Sequence, residues 1–270
     1  MKIVSLLFLA FSVVASLGVM AQSPDLDSLQ NQLTLAKDAD KLIILNELSF
    51  HLREKEQLVA FDYAVEAEKL AQSLGDAYEE ARAKENLGWI YYRRGQWQKS
   101  FAYSKDAYKL AIDGNHLEQA ARVLNSMGAL YYEQQNYSFA IIQFKKAFEI
   151  SNEVGDVYTM IRSLNNIALN FLKLNELDSA LFYTSKAIEV NRSAGSPYLL
   201  SFSNRIIGDV YFNRYQLDSA EMIYERALEN GLAQGISSIQ ASILYRLGNT
   251  YLLNGKKEEA KEVLLQGIDV

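Results

Sequence analysis

This amino-acid sequence predicts an all-α fold, a right-handed α-solenoid of about six helix pairs. Three observations carry the prediction. The first is a period of 40 residues: Leu87-Gly88-x-x-Tyr91 returns as Met127-Gly128-x-x-Tyr131, Ile167-Ala168-x-x-Phe171, Ile207-Gly208-x-x-Tyr211 and Leu247-Gly248-x-x-Tyr251, with a weaker copy at Leu48 and His51. Two small-residue slots keep the same phase, one at Ala60, Ser100, Ala140, Ala180, Ala220 and Ala260, the other at Ala67, Ala107, Ala147, Ala187, Ala227 and Gly267. A fixed period of this length marks an array in which each unit buries its apolar face against the next. The second observation is spacing within a unit. Ala77, Ala81, Leu87, Gly88, Tyr91 and Tyr92 follow helical intervals over Asp76–Arg94, as do Phe101, Ala107, Tyr108 and Ala111 over Trp97–Ile112, and no alternating run is long enough for a strand. The third is punctuation. Gly75-Asp76, Asn115, Gly155-Asp156 and Gly195-Ser196-Pro197 fall between units, whereas Arg94-Gly95, Gln135-Asn136, Asn175 and Asn254-Gly255 fall inside them.

In chain order, residues 1–21 read as a signal peptide. Met1-Lys2 supplies a positive start, Ile3 to Val19 is apolar apart from Ser5, Ser12, Ser16 and Gly18, and Ala21 before Gln22 is a cleavage site a signal peptidase accepts. Read as a membrane anchor, that run of roughly 17 residues sits at the short limit for spanning a bilayer, and no basic cluster follows it. Residues 22–37 are expected to form an N-terminal helical cap, and residues 38–270 the array, with its last repeat truncated. Asp76 with Glu79, and Asn115 with Glu118, have the spacing of a helix cap followed three residues later by a carboxylate, and Pro197 suits a first helical position. Gly88 and its equivalents are expected to let the first helix of a pair approach the second, with the Tyr91 layer filling the space between pairs. The final helix carries Val263, Leu264, Leu265 and Ile268, so a further helix is expected beyond residue 270 to cover them.

The Leu-Gly-x-x-Tyr group, the alanine after it, the aromatic four residues on (Ala140-x3-Phe144, Ala220-x3-Tyr224) and the second alanine resemble the tetratricopeptide repeat over about residues 38–270. The usual leading Trp is replaced by Lys84, Leu124, Leu164, Asn204 and Leu244, and Ile112, Asn152, Arg192 and Leu232 stand where the closing Pro belongs. The longer unit is similar to the long-repeat variety in bacterial regulatory proteins. An exported array of this kind resembles the sensory N-terminal region of membrane-bound bacterial histidine kinases or LuxR-type regulators. That resemblance implies a periplasmic signal or partner, with a membrane tether supplied by further chain. The alternative is a stand-alone exported scaffold without an output domain, and a cytoplasmic array conflicts with the leader.

Composition narrows the function. Net charge is −6, which disfavours a phosphate-backbone ligand, so no nucleic-acid partner is expected. There is no cysteine, so acylation at a lipoprotein cysteine, a disulfide framework and a thiol nucleophile are all excluded. Of the two histidines, His51 occupies the aromatic slot of the weakest repeat and His116 the start of a helix. No phosphate loop, His-Glu-x-x-His or calcium loop occurs, so no enzyme, cofactor or metal site is expected within these residues.

The resemblance places the first helix of each pair on the concave side, and there a polar ladder stands out. Arg82, Arg122 and Arg162 share one slot in three successive repeats, with Asn86, Ser126 and Asn166 one turn on, Asn125 and Asn165 beside them, and Trp89 a turn further; Arg205 extends the set at a shifted position. Arginine offers bidentate hydrogen bonds to carboxylates and asparagine both donates and accepts, so these residues are candidates to grip a protein or peptide partner, as the Lys/Asn clamp of some tetratricopeptide proteins does. The competing reading pairs the three arginines with acids such as Glu79, Glu85 or Glu118 on a solvated face.

Overall fold

The computed structural model describes residues 26–232 and 237–269, so the expectations for the leader at 1–21 lie outside the described residues. A short helix, α1 (Leu26–Leu33), falls in the expected N-terminal cap. Six helix pairs follow: α2 (Asp38–Leu52) with α3 (Gln57–Leu74), α4 (Ala77–Arg93) with α5 (Trp97–Asp113), α6 (Leu117–Glu133) with α7 (Tyr137–Val154), α8 (Val157–Lys173) with α9 (Leu177–Ala194), α10 (Pro197–Asn213) with α11 (Leu217–Leu232), and α12 (Ser237–Leu253) with α13 (Lys257–Asp269). Among the described residues there is no strand.

From the second pair to the sixth, the turn inside the pair stops its first helix in the same way. The residue at slot 95 and its equivalents Gln135, Asn175, Tyr215 and Gly255 have φ between 57° and 78°. This left-handed residue lets the next amide reach back to the carbonyl of the repeated aromatic: Gln96 N–H to Tyr91 O at 2.9 Å, Gln216 to Tyr211 at 3.0 Å, Lys256 to Tyr251 at 2.9 Å. Helix starts are capped by Asp76 (to the Glu79 amide, 3.0 Å), Asp156 (to Thr159, 3.1 Å) and Ser196 (to Leu199, 3.3 Å), and Pro197 opens α10 as expected. The expected cap at Asn115 is not formed. Asn115 (φ 56°) is itself the left-handed turn residue, so the cap position passes to His116, which makes no side-chain cap bond.

The glycine slot works by close approach. A Cβ on Gly128 would lie 2.6 Å from the Phe144 ring, one on Gly208 2.4 Å from Tyr224, and one on Gly248 2.5 Å from Leu264. Large side chains of the second helix therefore rest directly on the backbone of the first. Phe144 and Tyr224 are almost wholly buried as a result. The repeated aromatics bridge pairs, Tyr91 meeting Phe61 of α3 edge-on at 5.7 Å and Tyr131 meeting Phe101 of α5 at 5.9 Å, and they also stack within a pair, Tyr91 on Tyr103 and Phe171 on Tyr183, each at 5.4 Å.

Curvature follows from which helices touch. Each helix packs on its neighbour in the chain, and the backbones of the first helices also approach one another in the order α2, α4, α6, α8, α10, α12. Among the described residues the backbones of the second helices stay farther apart and touch only through long side chains such as Lys186 over Phe148. The solenoid therefore bends with its first helices inside. The inner wall is a groove built from six helices whose side chains repeat every 40 residues.

Candidate binding groove

Toward the N-terminal end, Glu47, Phe50, Tyr78, Arg82, Glu85, Asn86 and Arg122 line a cavity of about 330 Å³. The three arginines of the ladder differ in what holds them. Arg82 is fixed by two acids, Glu47 at 2.5 Å and Glu79 at 3.1 Å; these raise its pKa against the opposing, and largest, effect of burial. Arg122 lies 3.8 Å from Glu85. Arg162 makes no ion pair among the described residues and lies 5.7 Å from the Tyr158 ring centre. The competing reading thus describes Arg82 and, more loosely, Arg122, while Arg162 is left available.

Arg53, at the end of α2, joins them. Its guanidinium donates to Asn86 Oδ1 at 2.9 Å and lies 4.2 Å from the Phe50 ring and 5.3 Å from Trp89. Its pKa is lowered to about 10, first by burial and further by Arg162 and Arg122, with Glu85 opposing. Side chains of the first, third and fourth pairs therefore share one electrostatic environment, gathered by the curvature. Trp89 donates its indole N–H to Glu54 and stacks obliquely on Tyr92 at 5.1 Å.

The asparagines serve a different purpose from the one expected. Asn125 and Asn165 are 3% and 1% exposed. Asn125 donates to Ser163 Oγ at 2.6 Å and accepts from Asn166 at 3.0 Å, and Asn165 accepts from Ser203 Oγ at 2.9 Å. Asn86 donates to the Asn46 carbonyl at 3.1 Å, and Ser126 to the carbonyl of Arg122 at 3.3 Å. The ladder ties α2 to α4, α6 to α8 and α8 to α10, while Ser126 bonds within its own helix, and Asn125 and Asn165 are not presented to the groove.

Further along, Tyr132, Lys173, Tyr198, Phe202, Arg205, Asp209 and Arg246, with Leu169, Leu172, Asn213, Ile239 and Ser242, line a larger cavity of about 540 Å³. Asp209 is its hub. One oxygen accepts from Arg246 Nε at 2.7 Å and from the Tyr224 hydroxyl at 2.6 Å; the other accepts from Arg205 at 3.2 Å. Burial, then Asp209, pushes the Tyr224 hydroxyl pKa up, while burial, with Arg246 adding to it, lowers that of Arg205. Arg205 also stacks 4.5 Å over the Phe202 ring. Of this set the sequence reading singled out Arg205 alone. Arg246 was findable, since it occupies the slot of Asn86, Ser126 and Asn166 two periods past the last.

The comparisons with known proteins agree with this architecture. Tetratricopeptide-repeat family models match residues 81–112, 119–193 and 241–270, and the chain belongs to the tetratricopeptide-repeat proteins. No curated protein sequence matches it. Solved structures similar in fold include BtubC from P. vanneervenii (16% identity, 90% of each chain covered, TM-score 0.62). A Rap protein complexed with competence and sporulation factor is also similar (16% identity, 90% of this chain and 69% of that one, TM-score 0.73). So is NprR in complex with its cognate peptide NprX (15% identity, 90% and 71%, TM-score 0.66). Likeness at such identities concerns the fold alone. No helix among the described residues is long and apolar enough to cross a membrane.

Proposed function

We propose that this protein is an exported binding module whose concave groove holds a carboxylate-bearing protein or peptide, as the sensory or scaffold part of a bacterial signalling protein. One observation carries the binding half of this reading. On a chain of net charge −6, the curvature gathers Arg53, Arg122 and Arg162 on one stretch of the inner wall, where Glu85 and neighbouring acids balance them, and sets Lys173, Arg205 and Arg246 around the single carboxylate of Asp209, so cations exceed acids at the larger cavity. Guanidinium groups on a half-buried wall favour carboxylates, which they bind through charge-assisted, bidentate hydrogen bonds. The Rap and NprR structures, solved with a signalling factor and a cognate peptide, support a peptide as the partner. Export is supported by Met1-Lys2, the apolar run to Val19 and the small residue Ala21; the signalling role is supported by the resemblance of the long repeat to exported sensory arrays.

The binding half is tested by selecting peptides from a displayed random library on the purified protein. Selected peptides should be enriched in Asp and Glu, and Arg122→Ala with Arg162→Ala should weaken them at least tenfold. Binders that ignore these changes and depend on Phe182 of α9, an exposed residue on a second helix, would overturn the reading. Export is tested by mass spectrometry of the protein recovered outside the cytoplasm, which should begin at or near Gln22.

A further inference from the structure

The larger cavity has a chemistry of its own. Arg205 is only 6% exposed, yet among the described residues it donates a single hydrogen bond, to Asp209, although a guanidinium has five N–H groups. Arg246 uses Nε on Asp209 and one terminal nitrogen on Ser242, which leaves its other terminal nitrogen without an acceptor among the described residues. Lys173, from the end of α8, has no acid within ion-pair distance among the described residues. Three cations thus border a cavity holding one carboxylate. A buried cation with unused donors is costly unless something accepts from it. The remaining wall is apolar and aromatic: Tyr198 and Phe202 near the arginines, Ile239, Leu169 and Leu172 around them.

Resting on the groove reading above, we infer that this cavity is the anchoring subsite of the groove and receives one carboxylate flanked by an apolar side chain. The carboxylate would accept from Arg205 and Arg246, with Lys173 at the mouth, and the apolar group would lie against Phe202, Tyr198 and Ile239. Asp209 acts as a positioning residue. By holding each arginine through a different oxygen it makes the two guanidinium groups converge, and Tyr224 holds Asp209 in turn. A carboxylate with an adjacent side chain has two peptide sources, a free C-terminal residue and an internal acidic residue beside an apolar one, and the test separates them.

The probes are three short N-acetylated peptides, titrated against the full protein by ligand-observed NMR. One ends in leucine with a free carboxylate, the second is its C-terminal amide, and the third is an amide with an internal glutamate beside leucine. Binding of the first but not the second establishes a C-terminal residue as occupant; binding of the third establishes an acidic side chain; both support the inference. In either case Arg246→Gln and Lys173→Ala, at partly exposed sites, should weaken binding at least tenfold and threefold, with the helical CD signal unchanged. Arg205→Gln should abolish it, and if that variant does not fold, the other two decide. Inorganic phosphate binding where no peptide does, or peptide binding indifferent to both variants, overturns the inference. If no short peptide binds here while library-selected acidic peptides still depend on Arg122 and Arg162, the subsite falls and the groove reading stands. If neither set binds, both fall.

Discussion

The Tyr224 ring lies where a Cβ on Gly208 would be, 2.4 Å from that point, and from there its hydroxyl reaches Asp209 at 2.6 Å. One missing methyl group thus links repeat packing to the candidate site, because Asp209 orients Arg205 and Arg246. Gly208→Ala should displace Tyr224, cost about 1–3 kcal/mol by overpacking, and weaken any ligand of the larger cavity. Gly88→Ala is the contrast. Its Cβ would meet Ser104 Oγ at 2.9 Å, a group that can rotate away, and alanine's better helix propensity returns about 1 kcal/mol. Urea denaturation should rank Gly208→Ala well below Gly88→Ala; equal losses would show that the glycine slot is not set by the ring opposite it.

The three ladder arginines should separate on mutation. Arg82→Ala leaves Glu79, 5% exposed, with Asn46 as its remaining side-chain donor, so a loss of about 1–3 kcal/mol is expected. Arg162→Ala removes a cation that has no ion-pair partner among the described residues and should stay within about 0.5 kcal/mol. Thermal melts of the two single variants check this, and a stable Arg82→Ala would return that residue to the groove as a free ligand-binding group.

Much of the fold was legible because a 40-residue period repeats the same burial problem, and the same slots solve it: Gly128 beneath Phe144, Gly208 beneath Tyr224. In the fourth pair the slot holds Ala168, and the residue at the register of Phe144 and Tyr224 is the smaller Thr184. The site was legible only in part. Helical spacing identifies a face but not its depth: Asn125 and Ser126 are adjacent, hence about 100° apart around the axis, and cannot both point into the groove. Asn125 turns to the next first helix instead. Arg205 sits at that same slot two periods on, but its longer side chain passes Phe202 and reaches the cavity. Arg53 and Lys173 escaped because nothing local marks them; only curvature brings residues from distant pairs to one wall.

The asparagine ladder predicts a loss of stability that leaves binding untouched. Asn125→Ala removes the acceptor of Asn166 and the donor to Ser163, in a site with little access to water. A cost of about 1–3 kcal/mol is expected, with peptide affinity unchanged in the folded fraction. A variant of wild-type stability with impaired affinity would mean that Asn125 faces the ligand after all.

Tyr215 offers the reverse case, a change expected to stabilise. It ends the first helix of the fifth pair at φ 57°, where the second and sixth pairs use Gly95 and Gly255. An L-residue in that region costs about 1–2 kcal/mol, and Tyr215, 81% exposed, recovers little of it by packing. Tyr215→Gly removes the strain but gives the unfolded chain more freedom, which takes back roughly 0.5–1 kcal/mol. A net gain of about 0.5–1 kcal/mol should remain, a rise of roughly 1–4 °C in melting temperature for a chain of this size. Tyr215→Ala keeps a Cβ in the left-handed region and should gain nothing, so it isolates the backbone effect from loss of the ring. Hydrogen exchange at Gln216, whose amide closes the turn onto Tyr211, should slow in the glycine variant alone. Equal melting temperatures for the two variants would show that the turn carries no strain at this slot, and that Tyr215 is tolerated there without cost.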